Sequence, residues 1–153
     1  MSSVYDLVYC KENLLYKIKH LPIWIRKSKK GKLYPIHLNG FTNYNNRFTQ
    51  NTLKQKYKYS VNLPPKPDKP YTGVVTCLVV YHRPNNRRSD VHNMCTMIAK
   101  FVLDILVNEG YLEDDNYKYL TDIHFTISSK IGSPLKHGHA DLYIFKKGAL
   151  PNA

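Results

Sequence analysis

The stretch "VVTCLVVYHRPNNRRSDVHNMCTMIAKFVLDILVNEG", residues 74–110, decides how the rest of the chain is read. From Tyr71 to Arg83 the residues are rich in valine and apolar in succession, the pattern of a strand buried on both faces. Pro84, Asn85 and Asn86 then break it. From Asn93 to Asn108 the apolar residues Met94, Met97, Ile98, Phe101, Val102, Ile105 and Leu106 recur at steps of three and four, one broad helical stripe. Gly110 is placed to cap that helix.

Downstream, "YLTDIHFTISSK" and "HADLYIFK" alternate apolar and polar residues, which predicts two antiparallel strands parted by a turn at Gly132, Ser133 and Pro134. Upstream, Leu14 to Phe41 alternates on both sides of "KSKKGK", which predicts a hairpin turning at Lys30, Gly31 and Lys32. A polar segment then admits a short helix from Thr49 to Ser60, with Thr49 as its N-cap. "LPPKPDKP", Leu63 to Pro70, is a connector, because its four prolines lack backbone donors. The expected fold class is α+β: a small mixed β-sheet with one long helix and a shorter helix packed on it. At 153 residues, a single domain over 1–153 is expected.

The chain carries 23 Lys and Arg against 11 Asp and Glu, for a net charge of +12. Its pI is about 9.6. Such a field attracts polyanions and releases their counterions, so nucleic acid is the natural partner. No apolar run approaches the roughly 18 residues that cross a bilayer, and Met1 to Glu12 lacks the pattern of a signal peptide. The expectation is a cytoplasmic protein with no membrane partner. Cys10, Cys77 and Cys95 form neither a disulfide framework nor a zinc-finger spacing, and read as reduced, buried thiols.

Against that basic background, six of the eleven acids (Asp90, Asp104, Glu109, Glu113, Asp114, Asp115) fall between Arg87 and Asp115. Carboxylates held together without a cation repel one another and lose stability, whereas a divalent metal removes the penalty. Mg²⁺ prefers hard oxygen ligands and keeps several waters, so two or three carboxylates suffice beside a phosphate. In extended chain Asp90 and His92 point the same way and could share a ligand. With the helix starting at Asp90, His92 turns to the other side. Plainer roles also suit these acids, Asp90 as a helix cap and Asp114 and Asp115 as solvated turn residues.

The run "RRSDVHN", "AKFVLDIL", "EGYLEDDN" resembles the RusA family of Holliday junction resolvases, small phage and prophage endonucleases. That family's pattern is an Arg-rich turn, Asp-x-Asp-Asn, a helix bearing a Lys and an "F-D-A-L"-like segment, then Gly, an aromatic residue and an Asp pair. The likeness covers about 30 contiguous residues. "NYNNR" (Asn43 to Arg47) is similar to an early family segment. The resemblance implies a Mg²⁺-dependent endodeoxyribonuclease, with Mn²⁺ as an alternative metal, acting in a bacterial host as a homodimer on four-way DNA junctions. It implies catalytic roles for Asp90, His92, Lys100 and Asp115 and metal ligation by Asp90, His92 and Asp115, with Asp114 beside them.

His92 stands where the family has Asp, and imidazole favours softer ions than Mg²⁺. The span from Asn93 to Lys100 is also longer than the family's by about one helical turn of 3.6 residues. Lys100 has a plainer reading as an ion-pair partner of Asp104 four residues on. Arg83, Arg87, Arg88, Lys29, Lys30, Lys32 and Arg47 are the expected phosphate contacts. The rival expectation is a nonenzymatic DNA-binding protein whose thirteen tyrosines stack on unpaired bases. A zinc site built on His137 and His139 has too few ligands in that turn alone.

Overall fold

The structure is a computed structural model that describes residues 13–26, 33–35, 54–86, 91–116 and 118–147. In chain order the elements are β1 (Leu14–Pro22), β2 (Trp24–Arg26), β3 (Leu33–Pro35), α1 (residues 54–59), β4 (Val75–His82), α2 (Val91–Asn108), β5 (Leu120–Ile127) and β6 (His139–Lys146). Four strands make one mixed sheet in the order β1-β6-β4-β5, and β2 and β3 pair separately. This is the expected α+β arrangement, with a long helix and a short one.

β4 is buried along almost its whole length, as its valine-rich sequence predicts. It pairs in parallel with β5, Val75 opposite Leu120 and Tyr81 opposite Ile127. A parallel pair needs a crossover, and α2 supplies it. The helix stripe is buried, with Ile98, Val102 and Leu106 fully covered against Cys77, Val79, Leu142 and Ile144. Each such side chain contributes roughly 1.5–3 kcal/mol by leaving water.

The helix stops as the sequence predicts. Gly110 adopts φ 84°, its N–H donates to the Val107 carbonyl, and Tyr111 N–H donates to that of Leu106. This is the paired-bond cap that left-handed glycine permits.

β5 and β6 are strands, but they are not partners of each other. β6 runs antiparallel to β4 on one side and to β1 on the other. β5 takes the outer edge. β6 is therefore buried at every position but the last, although its sequence alternates. The polar members of that alternation, His139 and Asp141, are buried too. The expected hairpin around "KSKKGK" is present as β2 pairing with β3. The long first strand departs from it at Ile23, because β1 pairs with β6 instead. The turn at Lys30, Gly31 and Lys32 lies outside the described residues, as do Thr49, Phe41 and "NYNNR".

Tyrosines fasten the proline connector. The Tyr111 hydroxyl donates to the Pro64 carbonyl at 2.6 Å, Tyr16 to that of Tyr111 at 2.8 Å, and Tyr57 to that of Pro22 at 3.1 Å. Tyr71 forms an isolated parallel bridge with Leu112. The segment after α2 is thereby held against the start of β4. Among the described residues no helix is long and apolar enough to cross a membrane.

Cys77 and Cys95 are free thiols in the core. Burial raises both above the ordinary thiol range, Cys95 to about 12. In a Cys10→Ser background, neither thiol should react with a thiol-exchange reagent at pH 8 within minutes, and both should react in guanidinium. Rapid titration of either in the native state would contradict the packing.

Candidate functional site

Of the residues implicated by sequence, Asp90, Arg87, Arg88, Lys29, Lys30, Lys32 and Arg47 lie outside the described residues. His92 is placed by its backbone in the first turn of α2. Lys100 is exposed on the same helix. Asp104 pairs with Lys54 of α1 at 3.4 Å rather than with Lys100, and Lys58 pairs with Glu109. Arg83 follows the end of β4, and its buried Nε has no hydrogen-bond partner among the described residues.

The acidic loop has an internal order. Asp114 accepts the Asp115 N–H on Oδ1 at 2.7 Å and the Asn116 side-chain amide on Oδ2 at 2.7 Å. Both its oxygens thus shape the turn. Asp115 is half-buried, and its carboxyl is held above the ordinary range, first by desolvation, then by the charge of Asp104 and by contact with Asp114. Clustered acids therefore press on one another as the charge argument requires.

α2 also sets a distance. Its 18 residues rise about 26 Å. Asp115 lies at the far end, beside Asp104 and ahead of β5, which starts alongside the start of β4. Within one chain, the helix length separates the start of α2 from the acid pair.

A second constellation, which the sequence reading did not identify, stands at the opposite end of β4. His82 and His139 face each other in the β4–β6 register, their rings stacked with centroids 4.3 Å apart. Asp141, two residues along β6, is on the same face. His82 Nε2 is 2.8 Å from Asp141 Oδ2, and His139 Nε2 is 3.7 Å from Oδ1. One ligand atom from each lies within 4.8 Å of the others.

Three further groups surround them. A register shift in β1 between Ile18 and Leu21 contains His20 at φ 58°, a conformation uncommon outside glycine. This irregularity directs the His20 N–H to Asp141 Oδ1 at 3.0 Å. The His20 ring lies 4.9 Å from that of His139. Ser133 Oγ is 2.6 Å from His139 Nδ1 and accepts the Leu135 N–H at 3.1 Å.

Gly138, at φ 92°, leads into this strand so close to β4 that a Cβ there would sit 2.8 Å from the His82 carbonyl. Burial, the largest influence, holds the His139 pKa below its ordinary value, with His82, His20 and Lys19 adding to it and Asp141 opposing. His139 is thereby kept neutral, with one ring nitrogen able to accept.

The turn "HGH" does not bring its two histidines together as ligands. Instead the His137 ring lies against Trp24, centroids 5.1 Å apart. The informative signal was His139-x-Asp141, whose period of two puts both side chains on one face of a strand. His82 and His20 join only through strand pairing.

Comparison with protein-family models and with curated proteins finds no match to this chain.

Because its folded-state pKa is raised, the Asp115 carboxyl favours the fold when protonated, and that contribution is lost as pH rises through the folded value. Without added metal, Asp115→Asn should therefore melt at a higher temperature than the unmodified chain at pH 7. The gap should close on acidification to about pH 4, near the ordinary carboxylate range. Equal melting curves at pH 7 would show that the acids do not oppose folding.

Proposed function

We propose that this chain is a metal-dependent endodeoxyribonuclease that hydrolyses phosphodiester bonds in branched DNA, with four-way junctions as substrate. The observation that carries the reading is the Asp115 carboxylate, desolvated and pressed by Asp104 and Asp114 within a chain of net charge +12. Hard oxygen donors of this kind fit Mg²⁺ or Mn²⁺. When bound, such an ion supplies an activated water and neutralises charge at the phosphate.

Asp115 would hold the ion, with Asp114 fixing the turn that presents it. Arg83, which follows the end of β4, would offer its guanidinium charge to a phosphate. Lys100, exposed on α2, would face the DNA backbone. The length of α2 makes the homodimer part of this reading: two copies paired antiparallel across a two-fold axis would bring the start of one α2 beside the acidic loop of the other. A two-fold protein also suits a junction with two opposed strands to cut.

One observation favours a second reading, a nonenzymatic DNA-binding protein. Asp104 is already paired with Lys54. The two readings part in one assay. With Mg²⁺ or Mn²⁺, the purified chain should nick a four-way junction in preference to linear duplex or RNA. Asp115→Asn should lose at least about tenfold to a hundredfold in rate while still binding the junction. Binding without nicking, unchanged by that substitution, would establish the second reading.

A further inference from the structure

We propose that His82, His139 and Asp141 form a binding site for a borderline transition-metal cation of Zn²⁺ type, separate from the acidic loop. Two imidazole nitrogens and one carboxylate, with one coordination position left to solvent, form a donor set that suits Zn²⁺ and its neighbours and not Mg²⁺. The ligand atoms lie within 4.8 Å of one another. Small inward adjustments on two adjoining strands place all of them around one ion.

The cluster has features that a plain histidine–aspartate hydrogen bond leaves unexplained. The His82–Asp141 contact at 2.8 Å satisfies such a bond. His139 Nε2, however, is turned toward the same carboxylate at 3.7 Å, beyond hydrogen-bonding distance. Ser133 holds the opposite ring nitrogen at 2.6 Å. With Nδ1–H donating to Ser133 Oγ, Nε2 presents its lone pair to the cluster, the outer-sphere arrangement that orients a ligating histidine. The His20 N–H fixes the carboxylate in turn, from a backbone conformation that a non-glycine residue adopts at a cost.

The side chains of His139 and Asp141 are 5% and 7% exposed, whereas that of His82 is 25% exposed. Two ligands are thus built into the sheet and the third opens to solvent, which supplies the entry path. On binding, the cation takes the place of the hydrogen between His82 Nε2 and Asp141, and the neutral His82 ring carries its one proton on Nδ1.

The site lies at the far end of β4 from Asp115, and binding is read directly, so this inference stands or falls apart from the nuclease reading. The test is Co²⁺ and Zn²⁺ titration of the chelator-treated, full-length protein. One Co²⁺ per chain should bind at micromolar concentration with the intense visible bands of four- or five-coordination. One equivalent of Zn²⁺ should bleach those bands, and millimolar Mg²⁺ should leave them.

His82→Gln, with folding checked by circular dichroism, should weaken binding at least about a hundredfold, whereas His137→Gln should bind as the unmodified chain does. In the unmodified protein, Zn²⁺ should also protect His82 from diethyl pyrocarbonate, read by mass spectrometry. The proposal is overturned by any of three results: no saturable Co²⁺ binding, full binding by folded His82→Gln, or His82 labelling unaffected by Zn²⁺.

Discussion

Two adjacent strands running the same way cannot be joined by a tight turn, and most of this molecule's organisation follows from that constraint. The parallel pairing of β4 with β5 forces the chain to travel back along the sheet between them. α2 is that return path. Its apolar stripe covers one face of the sheet, and its 18-residue length matches the traverse. The start of α2 therefore belongs to the end of the sheet where β4 finishes, and the segment that follows α2 to the end where β4 starts. The acidic loop and the histidine–aspartate cluster sit at opposite ends of one strand for this reason, about 23 Å apart by strand rise.

The same constraint explains which parts of the fold could be read from residues alone. β4 and α2 were legible because their signals are local: unbroken apolar residues in one, steps of three and four in the other, and a glycine at the stop. The pairing of β5 and β6 was not legible. Adjacent alternating segments with a glycine-proline turn between them look like a hairpin, and nothing within "HADLYIFK" reveals that this strand slides between β1 and β4. In the structure it separates two buried faces, with Ala140, Leu142 and Ile144 toward α2 and Tyr143 and Phe145 in a smaller apolar cluster with Leu78 and Val80.

The candidate sites divide along similar lines. The acidic loop was visible because its residues are neighbours in sequence, and the structure distinguishes two adjacent aspartates that sequence treats alike. Asp114 uses its oxygens in the turn, whereas the Asp115 carboxyl is raised by desolvation and by the charge of Asp104. The histidine–aspartate cluster was hidden because residues 20, 82, 139 and 141 meet only through register. The β4–β6 pairing sets His82 opposite His139, and the irregularity in β1 brings the His20 amide to Asp141. A one-residue slip in β6 would turn both His139 and Asp141 to the other face, so the cluster is as specific as the sheet itself.

That dependence runs in both directions. A buried carboxylate is costly unless its oxygens are satisfied, and Asp141 obtains partners from both neighbouring strands, His82 on β4 and the His20 amide on β1. A one-residue slip of β6 would part Asp141 from both partners, so the polar cluster reinforces the register that hydrophobic burial favours. Polar groups inside a core contribute uniqueness in this way even where they add little net stability. The close approach at Gly138 belongs to the same selection, since only a residue without a side chain lets the chain turn into β6 against the His82 carbonyl. The residues proposed to bind a cation are thus also those that hold the last strand in the middle of the sheet, and a cation bound there would tighten the joint between β4 and β6 on which the fold closes.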